Sequence, residues 1–296
     1  MDHKGYSKEL RLGIGGVTIS INPIDNIRFE LDDAYRHFFA GSKPKPDLSI
    51  NLHDRADDAL PLKPGDRIFE TSGVWDLYCR AGDFVFSCYS EELGRIPSRR
   101  AVINKDFTSG DIFFNKTADE DGLPYPFGYP LDEILMIQLL SLGRGMMVHG
   151  CGLEIGGEGF LFVGSSGKGK STIAGILKEE AGAVILNDDR TIVRKIGAEY
   201  RIYGTPWHGD VKECSGGTAP LKRIYFINHA DGNSSAKLSS PEAAARLIAC
   251  SFSPFWDMSG MAFILDFASG LSEKTPSFSL GFLPDKTIAK FLKDIK

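Results

Sequence analysis

Residues 160–176, FLFVGSSGKGKSTIAGI, constrain the fold of this chain more than any other stretch. An apolar, strand-like run leads into a glycine-bracketed loop, and an apolar pattern with helical spacing follows. Residues 164–171 satisfy the pattern G-x-x-x-x-G-K-[ST], in which loop N–H groups and a helix N-terminus surround a phosphate. The flanking strand and helix are the context that this pattern requires. We therefore predict a strand, a phosphate-binding loop and a helix; a flexible Gly-Ser surface loop is the alternative.

The side chains of this loop suggest separate tasks. Its glycines let the backbone turn N–H groups inwards, because no Cβ atom obstructs them. Lys170 is placed to bridge the β- and γ-phosphates, and Ser171 offers a hydroxyl to Mg²⁺, with Thr172 as a substitute. The residues predicted to bind the nucleotide are Gly164, Ser165, Ser166, Gly167, Lys168, Gly169, Lys170, Ser171 and Thr172.

A second acidic element follows about one helix and one turn after the loop. Four apolar residues, 183–186, end in Asn187, Asp188 and Asp189, which predicts a buried strand with carboxylates at its end. A right-handed crossover would place this end, on the adjacent strand, beside the loop. One carboxylate can neutralise Mg²⁺ while the other accepts a proton from an attacking hydroxyl. We expect the two motifs to meet; a polar turn that contains two aspartates is the alternative.

Two further stretches carry polar residues of interest. His149 stands near the end of the strand predicted before the loop strand, where it either orients a carboxylate or is a structural histidine. Residues 203–210, YGTPWHGD, predict a shaped loop in which Thr205, His208 and Asp210 contribute to a substrate site; a structural turn is the alternative. Additional candidates for phosphate or carboxylate contacts, or else surface charges, are Arg144, Arg190, Lys222 and Arg223.

The periodicity changes along the chain. Alternating apolar residues predict strands at 12–22 and 46–53, a hairpin at 75–89 and a strand pair at 100–115 that turns about residues 109–110. A stretch rich in acids, glycine and proline, 117–130, marks a boundary, and a helix follows from 131 to Gly143. We predict a β-rich N-terminal domain or layer at 1–125 and an α/β domain at 126–296.

Composition excludes several classes of partner. The formal net charge of -5 disfavours a nucleic-acid backbone as partner. The first residues, MDHKGYSKEL, lack the apolar core of a signal peptide, and no window approaches the 18 uninterrupted apolar residues of a membrane-spanning helix. Five cysteines without a C-x-x-C pair fit reduced thiols better than disulfides or a zinc site. The sequence therefore predicts a cytoplasmic protein that binds neither nucleic acid nor membrane.

Together, the His149-Gly150 pair, the loop GSSGKGKS and the Asp188-Asp189 pair resemble the HPr kinase/phosphorylase family, and more broadly the fold shared with ATP-dependent phosphoenolpyruvate carboxykinase. The resemblance covers about residues 143–196 and implies an α/β fold with a P-loop nucleotide-binding core of that type. It implies that Asp188 is the general base and that Asp189 supports the metal and His149. Lys170 and Ser171 would bind phosphate and Mg²⁺, so Ser171 and Asp189 are the predicted metal ligands.

The sequence also departs from that family. The family's glycine-bracketed apolar segment involved in phosphoryl release is not evident, and GTPWHGD stands in its place. The segments PLDEILMIQLL, MVHGCG, LNDD, GTPWHG and SFSPFWD are more similar to a subgroup of HPr-kinase-related proteins, some of them similar to kinases encoded with peptide-modifying cassettes. HPr is therefore not the expected acceptor.

We expect a Mg²⁺-dependent kinase that transfers the γ-phosphate of ATP or GTP to a hydroxyl of a protein, peptide or small molecule. A nucleotide-binding regulatory or adaptor module with little turnover is the alternative. A carboxykinase would be longer, and a regulatory GTPase would carry Asn-Lys-x-Asp after the loop, whereas the pairs at 104–105 and 115–116 precede it. The acceptor, the choice of nucleotide, reversibility and a homo-oligomeric state remain open.

Overall fold

The computed structural model describes residues 5–24, 27–41, 45–54, 62–91, 93–94, 96–114 and 123–294. The pair Asn115-Lys116 and the first part of the predicted boundary at 117–130 lie outside these ranges. The described chain is mixed α/β, with two large sheets and few helices. It divides into two compact units, one of Met1–Gly13 and Val17–Met136, the other of Ile14–Gly16 and Ile137–Lys296.

The first unit is built on an eight-stranded sheet. Its strands are β1 (Leu10–Ile14), β2 (Val17–Pro23), β3 (Leu48–His53), β4 (Arg67–Glu70), β5 (Trp75–Arg80), β6 (Asp83–Tyr89), β7 (Pro97–Ile103) and β8 (Ser109–Phe114). They lie in the order β1-β2-β3-β8-β7-β6-β5-β4. Side chains of a strand alternate between faces, so that Leu48, Ile50 and Leu52 of β3 are buried while the residues between them are half-buried. This alternation is the pattern that predicted the strands. Two 3-10 helices, Asp33–Phe38 and Pro64–Asp66, were not predicted.

The predicted hairpin at 75–89 is confirmed, since β5 and β6 pair through a turn at Ala81 and Gly82, both with positive φ. The pair β7 and β8 is confirmed too, but its predicted turn about residues 109–110 is wrong. The Asn104 side chain accepts backbone N–H groups of Thr108 and Ser109 and closes the turn earlier. Residue 110 is a glycine within β8 because an added Cβ would lie 2.6 Å from a backbone carbonyl oxygen of β7.

The helix α1 (Leu131–Ser141) begins directly after Pro130, as predicted, and spans the division between the units. The second unit contains a nine-stranded sheet and four further helices. Its elements are β9 (Met146–Ile155), β10 (Glu158–Val163), α2 (Lys170–Ala181), β11 (Val184–Asn187), β12 (Arg190–Ile196), β13 (Glu199–Tyr203), β14 (Thr218–His229), β15 (Ser234–Lys237), α3 (Ser240–Ala249), β16 (Ser251–Phe252), α4 (Met258–Lys274), β17 (Ser277–Phe282) and α5 (Thr287–Asp294).

The neighbours of β10 differ from the predicted ones. It lies between β14, to which it is parallel, and β9, to which it is antiparallel. The strand after the loop helix, β11, pairs with β9, so β9 separates it from β10. The expectation that β11 and β10 are adjacent is therefore wrong, because β9 is long enough to pair with β10 on one edge and with β11 and β12 on the other. The ends of β10 and β11 nevertheless point the same way.

Helices cover both faces of this sheet. Alternate residues of β10 and β14 point to opposite faces, so Leu161 and Ile224 belong to one core and Phe162 and Tyr225 to the other. The first core is closed by α3 and α4, and the second by α2 and α5. The loop between β10 and α2 is thus held by a strand and a helix that both lie in the core. Among the described helices, none has the length and apolar character needed to cross a membrane.

Candidate phosphate-binding cleft

A cleft of about 310 Å³ lies over the glycine-rich loop and the end of β11. The loop residues and the N-terminus of α2 form the floor and one wall, and the turn after β11 forms the opposite wall together with the 209–210 segment. Its lining residues are Ser166, Gly167, Gly169, Lys170, Ser171, Thr172, Asp188, Asp189, Gly209, Asp210 and His229. The cleft therefore brings together the two motifs that the sequence marked separately.

Two glycines of the loop adopt backbone conformations that other residues rarely take. Gly167 and Gly169 have φ of 78° and 91°. Gly169 is also enclosed, because an added Cβ would lie 2.7 Å from Phe282 Cζ and 2.9 Å from His229 Cε1. It precedes α2, whose first N–H groups have no partner within the helix. This turn leaves the N-terminus of α2 at the floor of the cleft.

Lys170, the first residue of α2, directs its ammonium group into the loop. Its Nζ donates to the Gly164 carbonyl oxygen at 2.9 Å and lies 3.5 Å from that of Ser165. The residue is buried, and burial lowers the pKa of the ammonium group, although Asp189 acts in the opposite direction. The positive charge is thus held by carbonyl dipoles, which an anion in the cleft can replace.

Asp188 is almost wholly buried, at 2% exposure, and its carboxylate is closely held. The Gly209 N–H donates to Oδ1 at 2.8 Å, and the Val211 N–H donates to Oδ2 at 3.0 Å. The Ser171 hydroxyl donates to Oδ2 at 3.4 Å, across the cleft. This last contact joins the phosphate-loop motif to the acidic motif directly.

Asp189 faces a different set of partners, all of them cationic or able to become so. His149 Nε2 lies 2.9 Å from Asp189 Oδ1, and the Arg190 guanidinium pairs with Oδ2. Burial opposes ionisation of Asp189, but the hydrogen bond from His149 and the charges of Arg190 and Lys170 outweigh it and lower its pKa. His149 Nε2 also lies 3.0 Å from Lys170 Nζ, so this nitrogen either donates to Asp189 or accepts from Lys170. The histidine therefore connects the loop lysine to the carboxylate pair.

The turn that presents both aspartates is organised by Asn187, which is fully buried. Its Oδ1 accepts the backbone N–H groups of Asp189 and Arg190, at 2.7 and 2.6 Å. Its Nδ2 donates to the carbonyl oxygens of Thr205 and Trp207. One amide side chain thus fixes the β11–β12 turn against the 203–211 loop, a role typical of asparagine in turns.

The three residues predicted for a substrate site are placed differently from one another. Asp210 lines the cleft, whereas His208 is not among the lining residues and its Nδ1 lies 3.1 Å from the Gly209 carbonyl oxygen. Thr205 is fully buried, and its hydroxyl donates to the Arg190 carbonyl oxygen at 2.5 Å, so it supports the turn and does not face the cleft. Of the predicted loop residues, Ser165 and Lys168 are exposed outside the cleft lining, and Gly164 contacts Lys170 through its carbonyl oxygen.

A metal ion finds few protein ligands here. Among the described residues, no group of three or more His, Cys, Asp and Glu side chains is arranged to hold one. The predicted ligands were Ser171 and Asp189, yet the carboxylate nearest to the Ser171 hydroxyl is that of Asp188. An oxygen pair of this kind fits Mg²⁺, which binds through one or two protein oxygens together with phosphates and water.

Several residues of the site were not predicted from the sequence. His229, at the end of β14, can donate from Nε2 to the Gly167 carbonyl oxygen at 3.2 Å, and its ring packs against the Phe282 ring, with centroids 5.5 Å apart. Phe252 was not predicted either; Arg190, a candidate from the sequence for phosphate or carboxylate contacts, pairs with Asp189 and lies over the Phe252 ring at 5.2 Å. Only the position of His229 at a strand end gave a signal, since parallel strands present their carboxyl ends at one edge.

The comparisons with protein-family models and with curated proteins give no match.

Proposed function

We propose that this protein is a Mg²⁺-dependent kinase that transfers the γ-phosphate of ATP or GTP to a hydroxyl group, and that it is related to the P-loop kinases of the HPr kinase type. The observation that carries the proposal is the contact between Ser171 and Asp188 across a cleft floored by the N-terminus of α2. Phosphoryl transfer needs an anion cradle and an acidic group on opposite sides of one space.

The cradle offers three kinds of interaction to a polyphosphate. The N–H groups at the start of α2 are directed towards the cleft, and the helix dipole adds partial positive charge there. Lys170 can exchange its carbonyl contacts for phosphate oxygens, which its position within the loop allows. Burial lowers the pKa of the Lys170 ammonium group, and a bound anion would act in the opposite direction and stabilise its charged form.

The acidic side supports both a metal and an acceptor. Ser171 and Asp188 are the residues that would hold Mg²⁺, which would neutralise phosphate charge. We assign the general-base role to Asp188 and a positioning role to Asp189, whose carboxylate is engaged by His149 and Arg190. Asp188 would then act both as a metal ligand and as the general base. The backbone N–H groups of Gly209 and Val211 fix the orientation of its two carboxylate oxygens.

The test combines binding and transfer. Calorimetry with Mg·ATP and Mg·GTP should show binding that Lys170→Met weakens by about tenfold or more, because the substitution removes the ammonium charge that would contact the phosphates. Transfer of labelled γ-phosphate to a panel of peptides and hydroxyl metabolites should fall at least about a hundredfold in Asp188→Asn. Asp266→Asn, the same chemical change at an exposed position of α4, is the matched control and should leave both unchanged.

Varying the Mg²⁺ concentration separates the two roles of Asp188. If it acts mainly as base, Asp188→Asn stays inactive at high Mg²⁺ and retains nucleotide binding. If it acts mainly as metal ligand, excess Mg²⁺ restores transfer. No binding of either nucleotide to the wild type would end the kinase proposal.

A second candidate function, a nucleotide-binding module with little turnover, is favoured by one observation. Both oxygens of Asp188 already accept backbone N–H groups, and the residue is 2% exposed, as in a purely structural turn. Nucleotide binding without transfer to any member of the panel would support this module. For either function we propose the cytoplasm as location, since five cysteines without disulfides fit a reducing compartment.

A further inference from the structure

A second cavity, of about 330 Å³, opens between α2, α5 and the sheet. It shares no lining residue with the phosphate-binding cleft, because it lies at the other end of α2, near Leu177 and Ala181. Its lining residues are Ile155, Glu158, Phe160, Phe162, Leu177, Ala181, Lys222, Arg223, Tyr225, Ala289, Leu292 and Lys293. Its volume is in the range of small-molecule sites.

Apolar residues line most of this cavity, and three of its lining residues are aromatic. The Phe162 and Tyr225 rings are stacked, with centroids 5.2 Å apart, and Tyr225 is stacked in turn on Phe278 at 5.7 Å. These rings stand on neighbouring strands, so they form a rigid wall. Phe160 and Leu292 line the cavity while only half-buried, and they offer apolar surface that a ligand can cover. The body of a fitting ligand is therefore apolar.

One end of the aromatic wall carries two hydrogen-bond donors. Arg223 Nη1 lies 3.5 Å from the Tyr225 hydroxyl oxygen, and both residues line the cavity. Tyr225 is 1% exposed, and within the part of the chain that the structure describes its hydroxyl has no acceptor for its own hydrogen. Burial raises the pKa of this hydroxyl, with Arg223 acting in the opposite direction, so at neutral pH it remains a donor. A buried hydroxyl without an acceptor is costly, which points to a ligand that supplies one.

The charges around the cavity have an excess of cations. Lys222 is paired with Glu158 at 2.9 Å. In contrast, Arg223 and Lys293 have no carboxylate within ion-pair distance among the described residues. Two uncompensated positive charges beside an apolar cavity favour an anion with a single charge and an apolar body, since a multiply charged group would lose more hydration on entry.

We propose that this cavity binds a small amphipathic monocarboxylate, with its aliphatic or aryl body against the half-buried Phe160 and Leu292 side chains. Its carboxylate would lie on the Arg223 guanidinium and the Tyr225 hydroxyl. A carboxylate has two oxygens and so accepts from both donors at once. The site is independent of the proposed kinase function, because it is formed by other residues and needs no nucleotide.

Calorimetry with the full chain and no nucleotide tests the site, with octanoate as probe. Octanoate should bind with a dissociation constant of about 1 mM or lower. Its neutral counterpart, octanamide, should bind at least about tenfold more weakly. Arg223→Gln and Tyr225→Phe should each weaken octanoate binding about tenfold, while octanamide binding changes little. Tyr225→Phe keeps the stacked rings and removes one oxygen, so it preserves the fold.

The matched control is Arg201→Gln, which removes a guanidinium of β13 that is paired with Glu199 outside the cavity. It should bind octanoate like the wild type. Equal affinity for octanoate and octanamide, unaltered binding in both cavity variants, or an equal loss in Arg201→Gln would each overturn the proposal. Failure of the wild-type protein to bind octanoate would also overturn the proposal. Thermal melting of each variant verifies that it is folded.

Discussion

Replacing Gly169 by alanine tests how closely the glycine-rich loop between β10 and α2 is fixed by its surroundings. Two terms oppose the substitution. A residue with a Cβ atom at φ of 91° costs about 1–2 kcal/mol, as in other left-handed positions. The new Cβ would also meet Phe282 Cζ at 2.7 Å and His229 Cε1 at 2.9 Å. Phe282 is fully buried, so its ring has no room to move away, and overpacking of this kind costs about 1–3 kcal/mol.

One term favours the substitution, since alanine restricts the unfolded chain and contributes about 0.4–1 kcal/mol to stability. We therefore expect Gly169→Ala to lower the free energy of unfolding by about 1–4.6 kcal/mol. Gly167→Ala is the matched control in the same loop. It has φ of 78°, but no atom lies within 4 Å of the added Cβ, so only the backbone and unfolded-state terms apply. Its expected loss is about 0–1.5 kcal/mol.

Urea denaturation followed by circular dichroism measures both variants, and the difference between them isolates the steric term. A double-mutant cycle with Phe282→Leu assigns that term to one contact. Leucine lacks the Cζ atom, so the added penalty of Gly169→Ala should fall by about 1 kcal/mol or more in this background. Equal losses for the two glycine variants, within about 0.5 kcal/mol, would refute the reasoning, because the ring would then have moved at little cost.

Other predictions concern single side chains. The pKa of Asp189 is lowered from 3.8, because the His149 hydrogen bond and nearby cations outweigh burial, so its charged form contributes stability above the unfolded pKa. In urea denaturation, the advantage of the wild type over Asp189→Asn should shrink as the pH falls from about 5 to about 3. Thr205→Val should cost about 1–3 kcal/mol in the same assay, since it leaves a buried carbonyl oxygen without its donor. Burial raises the pKa of Cys88 to about 12, so iodoacetamide at neutral pH should alkylate the half-buried Cys214 at least about tenfold faster, as mass spectrometry would show.

The parts of the site that the sequence predicted are those with a local cause. The loop glycines and Lys170 are close in sequence. The strand that ends in two aspartates is likewise recognised from a short stretch, residues 183–189. The helix after Pro130 and the hairpin at 75–89 were predicted for the same reason, because caps and turns depend on neighbouring residues.

The remaining parts depend on pairings between distant residues. No local pattern places β9 between β10 and β11, since that arrangement follows from the length of β9 and from its contacts on both edges. Asn187 appeared to be part of a polar turn, but its role comes from carbonyl groups eighteen and twenty residues later. His229 reaches the loop from sixty-two residues away, so apart from its position at a strand end no local pattern indicated its role.

The two adjacent aspartates show how one turn can supply two different carboxylates. Consecutive residues at a strand end point to opposite sides, so Asp188 is directed to the 209–211 segment and Ser171, while Asp189 is directed to His149 and Arg190. The first carboxylate is held by uncharged donors, and the second is surrounded by cationic groups. We therefore do not expect either aspartate to take over the role of the other when one is mutated, because each contacts a separate set of partners. The environment of each aspartate, rather than the presence of a pair, determines what the site can do.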